Sequence, residues 1–278
     1  SVNFYMKTLL VPVDFSETSK NAARYAAALA ASLGETKLIF YHAFNPVAAG
    51  IDGTPLDIDV EARRKIVEMA LHNQELDLAP GLVTEVIAEE ADSLTENLVK
   101  YVRYNDVDVV VMGLTGATRI EQILMGSNAL KMAHEAIVPV LIIPPDATFK
   151  GINNILFATD MKNVKATTPL RQLRSLLSLF KANLHVVNVD SEHYVELTEE
   201  YRRERNTMES MLEGFSPEFF IVRIGDFVDA VYTFTETKSI DLIITIPRRH
   251  NFLATLFTPS NTKRLLYHTH VPLVAIHE

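Results

Sequence analysis

Gly113, Gly116 and Gly126 are followed at once by Ser127 and Asn128, and the group comes directly after "VDVVVM", a short run of apolar β-formers. The pattern G-x2-G-x9-G-S suits phosphate chemistry. Glycines between a strand and a helix let main-chain N–H groups approach an anion closely. A helix that follows adds unpaired N–H donors and the positive end of its dipole. Ser127 and Asn128 are suitable helix caps and can add donors of their own. The rival reading is a tight loop whose glycines serve backbone geometry alone. The spacing is not that of the P-loop, which needs Gly-Lys-Ser/Thr, nor of the dinucleotide motif G-x-G-x-x-G.

A second chemical group is Asp14, at the end of "KTLLVPVD". Its carboxylate can accept hydrogen bonds from a base or ribose, or hold a metal-bound water. It can equally cap a following helix together with Ser16. Glu89, Glu90 and Asp92 can hold Mg2+ near phosphates, or can form the acidic, solvated start of a helix. His42 reads as a core or pocket-rim histidine rather than a catalyst. His268 and His270, with His250 nearby in sequence, read as turn histidines, because no carboxylate stands at a recognisable ligand spacing and there is no cysteine. Hydrolysis needs a positioned water and stabilisation of the transferring phosphoryl group. No base and no arginine finger can be assigned, Arg119 and Lys131 being merely nearby, so the expectation is a non-enzyme or at most a slow phosphate-ester hydrolase.

Composition narrows the partners. The 278 residues are 48% hydrophobic and 22% charged, so a packed core is expected. Net charge is −9, whereas duplex nucleic-acid binders usually present a basic face. The basic run "YRRERN" (201–206) is flanked by acids and reads as a solvated helix face. The absence of cysteine excludes a disulfide framework and a thiolate metal site. No apolar run approaches the length of a membrane span, and no basic-then-apolar leader pattern opens the chain. The expectation is a cytoplasmic protein with no membrane and no nucleic-acid partner. The five residues ahead of Met6 leave the natural start open.

The elements that must position these groups occur twice. "KTLLVPVDFS" (7–16) matches "NNILFATDMK" (153–162), with Asp14 and Asp160 in corresponding places. The stretch from Asp108 through "GSNALKMAHEAIVPVLII" aligns without a gap on the stretch from Asp241 through "PSNTKRLLYHTHVPLVAI". These matches indicate a duplication of long period, the second copy shorter by 13 residues in its middle. The boundary falls at "PPDATFKG" (144–151).

In each copy apolar strands alternate with helices. In the first, a helix is expected from a Ser16 or Thr18 cap to Gly34, another through about Leu76, a third over Ser93–Tyr104 and a fourth from about Asn128. In the second, helices are expected up to Phe180, around Val195–Leu212, over Asp226–Lys238 and from Ser260. "NPVAAGIDGTPLD" is expected to be a loop. Continuous apolar strands between helices argue for a parallel sheet covered on both faces. The fold class is therefore α/β, as two tandem domains spanning 6–145 and 151–278, each a five-stranded parallel sheet. Ligands of such sheets sit beyond the C-terminal strand ends. Asp14, Ala43 and Gly113 all stand at such ends, so three separate stretches are expected to face one crevice.

The glycine spacing, with "VPVDFSETSKNAARYAAALA" at the start and "VPVLIIP" at the end, resembles the universal stress protein family. The resemblance covers both halves, as in a tandem two-domain member. It implies a Rossmann-like fold of the adenine nucleotide alpha hydrolase type, with ATP bound by a subset of members. Carried over by position, Pro12, Val13 and Asp14 border the adenosine. Ala43 lies at the adenine, and Met112 and Gly113 lie near ribose and base. Gly116, Gly126, Ser127 and Asn128 wrap ribose and phosphates, with Mg2+ as a possible companion ion. The resemblance also implies antiparallel pairing of fifth strands, made here between the two halves as an intramolecular pseudo-dimer. A homodimer of the whole chain is a further expectation.

The second half departs from the motif. Gly113, Gly116 and Gly126 correspond to Ile246, Arg249 and Pro259, and only Asp160, Ser260 and Asn261 persist. A β-branched residue takes positive φ only at a cost, and proline has no N–H to offer. The second half is expected not to hold ATP in the family manner. Arg248, Arg249 and His250 bind an anion by side-chain charge or, in the plainer reading, cap a surface loop.

Overall fold

A computed structural model describes residues 6–45, 48–49, 52–53, 55–56, 59–114, 127–189, 198–222, 227–247 and 270–277. In the first half the elements are β1 (Lys7–Pro12), α1 (Glu17–Leu33), β2 (Thr36–Phe44), β3 (Ala48–Ala49), β4 (Pro55–Leu56), α2 (Val60–Leu78), β5 (Val83–Glu90), α3 (Leu94–Tyr104), β6 (Val109–Gly113), α4 (Ser127–Glu135) and β7 (Val140–Ile143). The second half has β8 (Asn154–Thr159), α5 (Val164–Thr167), α6 (Leu170–Phe180), β9 (Asn183–Val189), α7 (Glu199–Met211), β10 (Glu218–Val222), α8 (Phe227–Lys238), β11 (Leu242–Thr245) and β12 (Leu273–Ala275).

Ten of these strands form one sheet in the order β10-β9-β8-β11-β12-β7-β6-β1-β2-β5. Within each half every neighbouring pair is parallel. The halves meet where β12 runs antiparallel to β7, with Val274 opposite Leu141. The same order of five strands therefore appears twice, reversed about that seam. Each first strand, β1 or β8, lies between its second and fourth strands, so each half has a switch point there.

Both faces of the sheet are buried, as the unbroken apolar strands require. On one face α1, α2, α6 and α7 pack through residues such as Ala26, Leu71, Leu173 and Met208. On the other face α3, α4 and α8 pack through Leu98, Met132 and Val231. Alanine makes α1 a strong helix former and leaves it slim enough to lie close on the strands. Ser16 caps it, accepting from Ser19 N, and Gly34 ends it at φ 85°, a conformation glycine adopts without strain.

The helix expected up to Phe180 is broken. α5 stops at Thr167 and α6 restarts after Pro169, because proline offers no N–H to a continuing helix and disfavours helical backbone in Thr168 before it. The loop expected over 45–57 contains a short antiparallel ladder between β3 and β4. α7 begins at Glu199 with Thr198 as its cap, later than expected. The expected helix from Ser260 lies outside the described residues. The connection between the halves is held by Asn21, whose Nδ2 donates to Pro144 O and Ala147 O, both at 3.1 Å. Phe149 then meets Tyr25 edge-on at 5.5 Å between ring centroids.

Candidate functional site

The first-half switch point gathers three strand ends. Pro12 closes β1 opposite Tyr41, and Val13 N donates to Tyr41 O at 2.8 Å, so Val13 and Asp14 stand level with the end of β2. Ala43 lies near that end, in register with Glu89 of β5. Met112 and Gly113 close β6 on the other side of β1, in register with Ile142 and Ile143. Neighbouring strands are about 4.8 Å apart, so Pro12, Val13, Asp14, Ala43, Met112 and Gly113 occupy one short stretch of the sheet's rim. Pro12, Val13 and Met112 are buried, Ala43 and Gly113 half-buried, and Asp14 exposed.

Gly116 and Gly126 lie outside the described residues. Ser127 opens α4, one position ahead of the expected start, and Asn128 is exposed in its first turn. A helix N-terminus therefore comes after β6 in the chain, as the glycine spacing predicts. Its first-turn N–H groups have no partner within the helix and are suited to an anion.

Asp14 is committed to the turn. Its Oδ1 accepts from Ser16 N at 2.9 Å and from the Ser16 hydroxyl, while Asp14 N donates to Ser19 Oγ at 3.3 Å. Phe15 between them takes φ 64°, a left-handed conformation rare for a bulky residue. Asp14 thus stands at the rim and supports the cap of α1. His42 is a rim histidine. Its Nδ1 donates to Val13 O at 2.5 Å, which leaves Nε2 as the acceptor of the neutral ring, and Phe15 packs against it at 5.0 Å.

Sequence reasoning passed over Ser19 and Tyr41. Ser19 is buried and joins Asp14 N to Ser16 O, a role hidden by its ordinary helix position. Tyr41 donates to Glu89 Oε2 at 2.7 Å. Burial and the Glu89 carboxylate push the Tyr41 phenol well above its ordinary value. Glu89 is thereby tied to β2, and no group of three or more metal-ligating side chains occurs among the described residues.

The second-half rim differs at a decisive place. Ile246 stands where the first half has Gly113, only 7% exposed and packed into the core. Its side chain fills space that a glycine leaves open. Arg248, Arg249, His250, Pro259, Ser260, Asn261 and His268 lie outside the described residues. His270 pairs with Asp146 at 2.8 Å, so this histidine meets a carboxylate of the inter-half connection. Within "YRRERN" (201–206) the three arginines line the outside of α7, and Arg205 lies 5.0 Å from the centre of the Phe219 ring. Glu204 turns inward and accepts from Asn163 N and Val164 N at the start of α5.

The model of the universal stress protein family matches residues 6–144, half of the 278-residue chain. This chain belongs to that family. A universal stress protein of Synechocystis sp. is 22% identical over 293 aligned positions, which take in 97% of this chain and 99% of the relative. The crystal structure of a universal stress protein from Archaeoglobus fulgidus superposes with a TM-score of 0.65 at 19% identity, with 99% and 98% of the two chains covered. Both matches run over nearly the whole of both chains. A universal stress protein solved in complex with cAMP is 22% identical, with 50% of this chain and 98% of that one covered and a TM-score of 0.37. No described helix is long and apolar enough to cross a membrane.

Proposed function

We propose that this universal stress protein binds ATP at the first-half switch point and serves as a nucleotide-dependent binding module in the stress response. Residues 6–145 form the nucleotide-binding domain and residues 151–278 a domain that does not hold ATP in this manner. One observation carries the reading: the ends of β6, β1 and β2 lie side by side, and the chain leaving β6 runs through a glycine-spaced segment into the N-terminus of α4. Pro12, Val13, Asp14 and Ala43 border the adenosine, and Met112 and Gly113 lie near ribose and base. Gly116, Gly126, Ser127 and Asn128 supply donors to ribose and phosphates. Main-chain amides and a helix N-terminus hold the anion, so a chain of net charge −9 needs no basic cluster for it.

Asp14 Oδ1 is engaged by the Ser16 cap, and no residue is assigned as a base, which supports a binding role over hydrolysis. The protein works in the cytoplasm, without nucleic acid or membrane. The test is mass spectrometry of small molecules released from the purified, denatured chain, with calorimetric titration of ATP. Retained adenine nucleotide, and loss of ATP binding in Gly126→Asp, are expected. An undiminished affinity in that variant would remove the loop from the site.

A further inference from the structure

We propose that a pocket at the outer edge of the first half, between α2, the end of β5 and α3, binds a free α-amino acid with an apolar side chain. The proposal goes beyond nucleotide binding and stands whether or not ATP binds. The cavity measures about 380 Å³, within the range of small-molecule sites. Its walls carry balanced charge: Arg64 and Lys100 are cationic, Glu89 and Glu90 anionic.

These charges do not neutralise one another. Arg64 is bonded to Glu61 at 2.9 Å, and Glu89 receives the Tyr41 hydroxyl. Lys100 and Glu90 take part in no ion pair with another described residue, although both line the same cavity. A phosphate would meet two carboxylates, and a metal ion would meet an ammonium and a guanidinium. A zwitterion suits both sets at once, its carboxylate toward Lys100 and Arg64 and its ammonium toward Glu90 and Glu89.

The remaining wall is aromatic. Tyr101 and Tyr104 are one turn apart on α3 and so lie on the same side of the helix. Tyr101 is fixed against Tyr41, with ring centroids 5.5 Å apart. Tyr104 is 75% exposed, an unusual position for so large a ring. Two rings beside a zwitterion-reading rim select an aromatic or aliphatic side chain. Exposed ion pairs contribute little each, so the expected dissociation constant is on the order of 0.1–1 mM.

The test is calorimetric titration of the full chain with phenylalanine, N-acetylphenylalanine and phenylalanine amide. Phenylalanine should bind, and each blocked analogue, lacking one charge of the zwitterion, should bind at least fivefold more weakly. Lys100→Met, Glu90→Gln and Tyr104→Ala should each weaken phenylalanine at least fivefold while leaving the unfolding midpoint of the free protein unchanged. The inference is overturned if phenylalanine and leucine give no heat, if both analogues bind as well as the parent, or if the Lys100 and Glu90 variants bind normally. A failure of ATP to bind in the same preparations would bear on the nucleotide site alone.

Discussion

Asp14 and Asp160 build the same turn in the two halves, 146 residues apart. Asp14 Oδ1 accepts from Ser16 N at 2.9 Å, and Asp160 Oδ1 accepts from Lys162 N at 3.0 Å. The residue between takes left-handed backbone in both, φ 64° at Phe15 and 53° at Met161. The duplication therefore preserves a strained turn at the end of each first strand. The helix starts beyond the two turns have diverged. In the first half Ser16 caps α1, whereas in the second Glu204 reaches across from α7 to the first N–H groups of α5.

Removal of these acceptors should have unequal effects. Asp14→Ala loses the carboxylate that holds Ser16 and should destabilise by about 1 kcal/mol, the usual scale of a helix cap. Asp160→Ala should cost roughly 0.5 kcal/mol, because Glu204 keeps the cap. Glu204→Ala frees two N–H groups at once and should cost about 1–2 kcal/mol. Urea unfolding midpoints rank the three, and a cost for Asp160→Ala equal to that for Glu204→Ala would contradict the assignment.

The seam between halves should control cooperativity. Val274 is fully buried and stands opposite Leu141, itself 1% exposed. Val274→Ala should cost roughly 2 kcal/mol from lost burial and a small cavity. Val274→Asp buries a carboxylate without a partner at the antiparallel junction and should cost about 4 kcal/mol or more. Wild type should unfold in one transition, and Val274→Asp in two as the halves part. A single unchanged transition in that variant would show that the seam does not join them.

Much of this frame was legible in the sequence because it rests on local signals. Ser16 and Gly34 mark the ends of α1 by chemistry at single positions, and Ser93 marks α3 in the same way. The offset repeat exposed the twofold plan, and the family resemblance implied the pairing of last strands. Three features were not legible. Pro169 splits a helix that hydrophobic spacing alone makes continuous. The Tyr41–Glu89 bond joins residues 48 apart, and Gln172 Nε2 reaches Ile137 O at 2.9 Å from the other half. No local pattern encodes such contacts. For the candidate site, strand-end positions came from periodicity, while the part carried by Gly116 and Gly126 remains a reading of spacing.

Stability should fall in mild acid because two histidines are held neutral. Burial lowers the pKa of His185, opposed by Glu218 and aided by Lys238. Burial also lowers that of His277, opposed by its bond to Ala133 O and aided by His134. The unfolded chain takes up a proton near pH 6.5, before the folded chain does. Stability is therefore full above about pH 6.5 and decreases as pH falls below it, levelling off once the folded values are passed. Unfolding midpoints between about pH 5 and 8 should show this slope, and His277→Gln should flatten it in part. A midpoint that rises on acidification would reverse the sign and refute the account.

The two halves should differ in nucleotide binding because of one side chain at the rim. Gly113, half-buried at the end of β6, carries no side chain, whereas Ile246 at the matching place is packed into the core at 7% exposure. Ser127→Ala should thus weaken ATP about tenfold, the loss of a hydrogen bond to a charged group being worth roughly 1.5 kcal/mol. Ser260→Ala, its counterpart, should leave ATP affinity and a stoichiometry of one unchanged. Gly113→Ile should transfer the second-half condition to the first and abolish binding, with the fold checked by circular dichroism. Two ATP per chain, or sensitivity to Ser260→Ala rather than Ser127→Ala, would place the nucleotide in the other half.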